Sequence, residues 1–253
     1  MATATFRIWR SLGSEGAFKD YTTEVSEGMV VLDAVHLIQA EQAPDLACRW
    51  NCKAGKCGSC SAEINGMPKL MCMTRLNDLP LDEPVTVEPM RAFPPIRDLV
   101  SDVSWNFRVK PTIKKFAPRT PDAPDGTWRM QQRDIDRIQE FRKCIECFLC
   151  QDVCHVVRDH QLMEQFIGPR FLVYAAALEM HPLDTADRVP NLKAHGIGYC
   201  NITKCCTNVC PEHITITDNA IIPLKERVVD RFYDPITRLL RMFTSGSGDP
   251  NPQ

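Results

Sequence analysis

The chain has 253 residues, 44% of them hydrophobic and 25% charged, with a formal net charge of -2. That length suffices for two modest domains with cores of their own, and the composition argues against global disorder. The lack of a positive field argues against nucleic acid as a partner. The longest apolar stretch, Phe171 to Ala177, falls far short of the roughly 18–20 residues of a membrane-spanning helix.

The N-terminus, MATATFRIWRSLGSEG, has no apolar run to make a secretory signal. Its Thr5, Phe6, Ile8 and Trp9 read as the start of a strand, so the mature chain is expected to begin near Met1 on the cytoplasmic side of a bacterial cell. Residues 4–10 and 20–25 read as strands, with Gly13 and Gly16 marking the turn between them. Val30 to Gln42 has helical periodicity through Val31, Ala34, Val35 and Ile38, with Ser26 or Asp33 near its start. A cysteine-rich loop, Cys48 to Cys60, follows. Ala62 to Ile64 and Lys69 to Met73 flank Asn65-Gly66, the strongest short hairpin pattern, and PVTVE (84–88) is one more strand. These elements predict an α+β domain over residues 1–104.

Pro89, Pro94, Pro95, Pro111, Pro118, Pro121 and Pro124 exclude long helices from the next stretch. It is expected to be an extended connector, residues 105–130, preceded by one apolar patch at Ile96 to Val103. Its basic residues Lys110, Lys114, Lys115 and Arg119 are expected on a solvated face, with a subunit contact as the alternative. A helical domain is expected over 131–246, with helices at Arg133–Cys144, Pro169–Met180, Asn219–Asp230 and Asp234–Phe243. The second of these is apolar on most faces and therefore belongs in a core. Residues 247–253 read as a tail.

Thirteen cysteines in an unexported chain favour metal over disulfides. They fall in three groups, residues 48–72, 144–154 and 200–210, a bunching that scattered core cysteines would not show. In the first group Cys52, Cys57 and Cys60 form C-x4-C-x2-C, with Cys72 eleven residues on. That is the plant-type ferredoxin spacing for [2Fe–2S], and Gly55 and Gly58 allow the loop to curl and aim N–H groups at sulfur. A zinc site also takes four cysteines, but zinc motifs present two tight pairs, whereas three cysteines share one loop here. Cys48 has no place in the spacing and is expected to be a buried or semi-buried free thiol.

The second group, Cys144, Cys147, Cys150 and Cys154, forms C-x2-C-x2-C-x3-C. In two-cluster ferredoxins the fourth cysteine of this run reaches the other cluster. In the third group Cys200, Cys206 and Cys210 match the first, third and fourth positions, and Thr203 occupies the second. A threonine hydroxyl is a poor iron ligand beside a thiolate. The spacing therefore predicts [3Fe–4S] on Cys200, Cys206 and the crossing Cys154, and [4Fe–4S] on Cys144, Cys147, Cys150 and the crossing Cys210. Cys205, next to Cys206, is expected to point away on a helical turn; a fourth iron held by Cys205 is the alternative.

The runs RWNCKAGKCGSCSAEINGMPKLMC, CIECFLCQDVC and CNITKCCTNVCP, in this order, resemble the iron–sulfur subunit of succinate dehydrogenase and fumarate reductase, and the likeness covers residues 3–245. The resemblance implies an N-terminal plant-type ferredoxin-like β-grasp domain and a C-terminal all-α bacterial-ferredoxin-like domain. It implies a flavoprotein partner whose FAD oxidises succinate, a membrane anchor at which quinone is reduced, and a place on the cytoplasmic face of the membrane. The chain itself has no G-x-G-x-x-G after a strand and no acid–base pair for carbon chemistry, so a two-electron cofactor must lie upstream in a partner. The physiological direction, succinate oxidation or fumarate reduction, is left open.

After Cys154 the chain departs from the family, with His155, Val156, Val157, Arg158 and Asp159 where many members carry Pro, Ser and paired tryptophans. Asn201 stands where a histidine is frequent. His155, Arg158, Asn201 and Lys204 are the nearby polar candidates for a quinone carbonyl. Phe166-Ile167-Gly168-Pro169 matches the family and is expected to set the start of a helix. Two rivals remain: a freestanding electron carrier or an iron–sulfur subunit of another oxidoreductase, such as a glycolate or glycerol-phosphate dehydrogenase type complex, against which the plant-type domain counts, and a zinc-stabilised interaction protein.

Overall fold

The computed structural model describes residues 2–235. The first half is a mixed sheet. Strands β1 (Ala2–Leu12) and β2 (Glu15–Val25) form a long antiparallel hairpin in register from Ala2↔Val25 to Leu12↔Glu15. β1 also pairs in parallel with β5 (Val85–Glu88) through Phe6, Arg7 and Ile8. β5 in turn pairs with β3 (Ser61–Ile64), and β3 with β4 (Met67–Leu70). Two short strands, β6 (Pro95–Arg97) and β7 (Val100–Ser101), finish the order β4-β3-β5-β1-β6-β7.

Alternation along β1 turns Ala4, Phe6 and Ile8 inward. Against them lies α1 (Val31–Glu41), which buries Val31, Leu32, Ala34, Val35 and Ile38, one face at helical spacing. Its first turn is closed by the Asp33 carboxylate, which accepts the Val30 N–H at 3.2 Å. Asn65 and Gly66 both have positive φ, as a two-residue hairpin turn requires.

The second half is helical: α2 (Ser104–Val109), α3 (Gln132–Gln139), the short α4 (Leu149–Asp152) and α5 (His155–Arg158), α6 (Gly168–Glu179), α7 (Val189–Ala194), the short α8 (Cys205–Asn208) and α9 (Ile222–Phe232). α6 is its centre and buries Phe171, Leu172, Val173, Ala175 and Ala176. A wide π-turn, Ile216–Ile221, leads into α9. Pro223 at the start of α9 has no N–H to give to the tighter ladder.

Several expectations are corrected. The proline-rich stretch is extended only in part, since Ser104–Val109 forms a helix; its Trp105 and the preceding Val103 pack on the core of the helical half. Of the basic run, Lys114 and Lys115 are exposed, as expected, while Lys110 and Arg119 are half-buried. Lys110 pairs with Glu146 at 2.6 Å, and Lys114 donates to the Asp187 carbonyl. Beneath the run lies Arg188, 0% exposed, which donates to the carbonyls of Lys114 and Lys115 and pairs with Asp184 at 2.8 Å, so one buried cation clamps this segment to the helices. The expected helix at 234–243 lies outside the described residues from 236 onward, as does the tail.

The two cores are interlocked. Met90, Ala92 and Phe93, downstream of β5, sit in the helical core, while Leu149 from α4 sits in the sheet's core. Each half thus closes the hydrophobic surface of the other, which holds the cysteine loops of both against one another.

Candidate metal centres

The first cysteine group lies in the loop between α1 and β3 and at the end of β4. Lys53, Gly55 and Gly58 all adopt positive φ, so the loop curls on itself. The curl aims N–H groups at sulfur. Ala54 and Lys56 donate to Cys52 Sγ at 3.4 and 3.3 Å, and Cys72 donates to Cys60 Sγ at 3.5 Å. Cys60 and Cys72 are buried, Cys57 is half-buried and Cys52 is exposed, so this site reaches the protein surface. Cys48 stands apart, half-buried, its thiol directed at the Arg49 carbonyl and pushed up to about 12 by burial.

The second and third groups repeat one backbone design. Glu146 and Phe148, two and four residues after Cys144, are left-handed, and so are Ile202 and Lys204, two and four residues after Cys200. Each left-handed pair hands the chain to a four-residue helix, α4 or α8. In this register Cys144 answers to Cys200, Cys150 to Cys206 and Cys154 to Cys210. Thr203 stands opposite Cys147.

Cys144, Cys147, Cys150 and Cys210 line one cavity, that of the second cysteine group. Cys154, Cys200 and Cys206 line another, the third site's cavity, together with Thr203 and Cys205. The fourth cysteine of each run thus lies with the other run. Cys205 does not point away. Its Sγ is 3.3 Å from Thr203 Oγ1, facing the corner that a second ligand would take.

Burial first, and neighbouring cysteines with it, push the thiols of Cys60 and Cys147 up to about 12 and that of Cys154 to about 11. Two thiols run the other way: burial opposes ionisation at Cys57, but hydrogen bonds from Ser59 and Cys52 pull it down to about 6, and hydrogen bonds with Cys206 and Thr203 pull Cys205 down to about 5 against its burial. Buried thiols so close are poor company as thiolates unless a cation neutralises them, which makes them a natural donor set for iron. Among the described residues no three His, Cys, Asp or Glu converge on a single-ion position. The N–H donors to sulfur at Cys52 and Cys60 are the surroundings that an iron–sulfur cluster takes.

The first two sites touch. Ser61 Oγ, at the start of β3, lies 2.9 Å from both the Gly58 and the Cys147 carbonyls. A Cβ on Gly58 would stand only 2.6 Å from Cys147 Cα. Gly168 has a similar role behind the second site, where φ is +76 and a Cβ would collide with the Gln151 side chain. The expected helix start at Phe166–Pro169 is thereby docked on α4. Beside this junction Glu63, on β3, pairs with Arg91 at 2.7 Å and faces Arg158 at 3.7 Å. Asp152 is fully buried; burial, with Glu63 nearby, raises its pKa to about 7.

Of the four residues proposed for quinone, His155, Asn201 and Lys204 line the third cavity. His155 Nε2 and Asn201 Nδ2 are 3.0 Å apart, and Lys204 pairs with Asp218 at 2.8 Å. Arg158 does not line it, being turned toward Asp159 and Glu63. The cysteine pattern gave no hint of Arg170, which lines the second cavity; the available hint was a lone cation at the head of an apolar helix.

A sheet domain and a helical domain, each presenting ferredoxin-type cysteine loops, define an iron–sulfur electron-transfer protein. Residues 5–108 match the family described as "2Fe-2S iron-sulfur cluster binding domain", and residues 140–214 that described as "4Fe-4S dicluster domain". The "Fumarate reductase iron-sulfur subunit" of Mycobacterium tuberculosis is 35% identical over 206 residues, 79% of this chain and 82% of that one. A fumarate reductase (CoM/CoB) polypeptide of Methanothermobacter marburgensis is 30% identical over 207 residues, 82% of this chain but only 40% of that longer relative. A chain in the structure "Mycobacterium smegmatis Sdh1 complex in the apo form" superposes with a TM-score of 0.89 at 62% identity, over 92% of this chain and 98% of that one. The chain belongs to the family of succinate dehydrogenase and fumarate reductase iron–sulfur subunits. No helix among the described residues is long and apolar enough to cross a membrane.

Proposed function

We propose that the chain relays electrons one at a time between a FAD-containing, succinate-oxidising flavoprotein and membrane quinone, through [2Fe–2S], [4Fe–4S] and [3Fe–4S]. The observation that carries this is the linear order of the three cysteine sites, with the first two in direct contact at Gly58, Ser61 and Cys147 and the last two laced by Cys154 and Cys210. Cys52, Cys57, Cys60 and Cys72 hold [2Fe–2S]; Cys144, Cys147, Cys150 and Cys210 hold [4Fe–4S]; Cys154, Cys200 and Cys206 hold [3Fe–4S]. Succinate loses two electrons and two protons to become fumarate, and the bound clusters accept electrons singly, so the flavin of the partner must divide the pair. In this reading the end at Cys52, an exposed residue, faces the flavoprotein. At the far end His155, Asn201 and Lys204 ring the third site and face the membrane anchor on the cytoplasmic side. Thr203 and Cys205 supply no ligand in this reading.

A second reading of the third site is favoured by one observation, the position of Cys205 Sγ at the Thr203 corner. There Cys205 would hold a fourth iron. The two are separated by electron paramagnetic resonance of the air-oxidised complex. The three-iron reading expects the oxidised [3Fe–4S] resonance in the wild type. Its absence there, with its appearance in Cys205→Ser, would establish the four-iron reading. The relay itself is tested by purifying the chain from membranes with its partners. A FAD-bearing subunit and succinate-dependent quinone reduction are expected; co-purification with a flavoprotein inert toward succinate and fumarate would refute the assignment.

A further inference from the structure

The second cavity holds one buried side chain that no ligand role explains. Arg170, in the first turn of α6, is 5% exposed and lines the cavity beside the four cysteines. One end of its guanidinium is tied, because Nη2 donates to Glu146, itself paired with Lys110 at 2.6 Å. The rings of Phe171 and Tyr174 lie 5.8 and 5.7 Å from it. Its Nε–H is different: it is buried and has no acceptor in the protein. Buried donors of this kind are rare in folded chains and call for a partner. Glu212 also lines the cavity but is taken by Lys56, which donates to both its oxygens. The remaining side-chain acceptors on that wall are the sulfurs of Cys144, Cys147, Cys150 and Cys210.

We propose that Arg170 tunes the reduction potential of the group these four cysteines hold, donating its Nε–H to sulfur and favouring the reduced, more negative state by its fixed charge. Hydrogen bonds to sulfur and local charge are the main protein levers on such potentials. This rests on the reading that the cavity holds [4Fe–4S]. The planar guanidinium suits the task, since Nη2 can serve Glu146 while Nε points elsewhere; a lysine ammonium offers charge without that fixed fork. Glu146, between Cys144 and Cys147, opposes Arg170 in sign. Removing one charge or the other should therefore move the potential in opposite directions.

The test is a redox titration of the intact complex, following the reduced [4Fe–4S] resonance in wild type, Arg170→Gln, Arg170→Lys and Glu146→Gln. The midpoint is expected to fall in Arg170→Gln, to fall less in Arg170→Lys, and to rise in Glu146→Gln. A midpoint unmoved in Arg170→Gln with the resonance intact would overturn the proposal, and so would shifts of one sign in Arg170→Gln and Glu146→Gln. If Arg170→Gln fails to assemble the cluster, Arg170→Lys must still lie below wild type and Glu146→Gln above it, and any other order overturns the proposal. A wild type without any [4Fe–4S] resonance would instead refute the cluster assignment.

Discussion

Gly58→Ala strikes the contact between the first two sites. Gly58 has φ +68, and a Cβ there would meet Cys147 Cα at 2.6 Å and its N and Cβ at 2.9 Å. Two costs add. Alanine in the left-handed region costs about 1–2 kcal/mol. Crowding a contact that cannot relax costs about 1–3 kcal/mol more, and the contact is backbone, held by the Ser61 hydroxyl between the Gly58 and Cys147 carbonyls. Gly66 is the control. Its φ is +73 and nothing lies within 4 Å of a Cβ built there, so Gly66→Ala carries only the first cost, about 1–2 kcal/mol. In thermal unfolding of the cluster-loaded complex, Gly58→Ala should therefore melt below Gly66→Ala by about 2–12 °C, at about 2–4 °C per kcal/mol for a chain of this size. The relaxation of the [2Fe–2S] resonance by its reduced neighbour should also weaken in Gly58→Ala alone. Equal melting of the two variants, with relaxation unchanged, would refute a tight contact between the two loops.

The other perturbations are aimed at single sites. Thr203→Cys places a thiol at the position answering to Cys147 and should replace the oxidised [3Fe–4S] resonance by a four-iron cluster; an unchanged spectrum would mean that Thr203 does not face the open corner. Asp152, raised by burial to about 7 from 3.8, keeps a proton in the folded state that the unfolded chain has lost. Its contribution to stability is thus greatest at low pH and declines as pH climbs from about 4 to about 7, by up to about 1.4 kcal/mol per pH unit. Asp152→Asn preserves the acceptor for the Ala92 N–H and should flatten that slope in urea unfolding between about pH 5 and about pH 7; a slope identical to wild type would contradict the assignment. Arg188→Met leaves Asp184 as a buried, unpaired charge and should cost about 3–5 kcal/mol, partly recovered by adding Asp184→Asn. A denaturation midpoint within error of wild type would show that the clamp is dispensable.

Local chemistry made much of the fold legible. The apolar spacing of Val31, Ala34, Val35 and Ile38 marks α1, Asn65-Gly66 marks the β3–β4 hairpin, and cysteine spacing marks the three loops. What stayed hidden depends on distant chain. Nothing local announces that Leu149 belongs to the sheet's core or that Phe93 belongs to the helical one, because each is simply an apolar residue near a loop. The short helices α4 and α8 follow left-handed Phe148 and Lys204, residue types with no preference for that conformation. The cysteine loops impose it. Helical geometry predicts an outward Cys205, but α8 begins only at Cys205, so the helix does not yet dictate where its first side chain points. Prolines between 89 and 126 exclude long helices, yet Ser104–Val109 fits between them as a helix short enough to escape the rule.

The central claim is a three-cluster relay of unequal members, and Mössbauer spectroscopy of the intact, air-oxidised complex grown on isotopically enriched iron tests it most directly. The account predicts three resolved components, from [2Fe–2S], [4Fe–4S] and [3Fe–4S], with iron in the proportions of those clusters. Zinc without inorganic sulfide, or a spectrum lacking either the two-iron or the four-iron component, would contradict it.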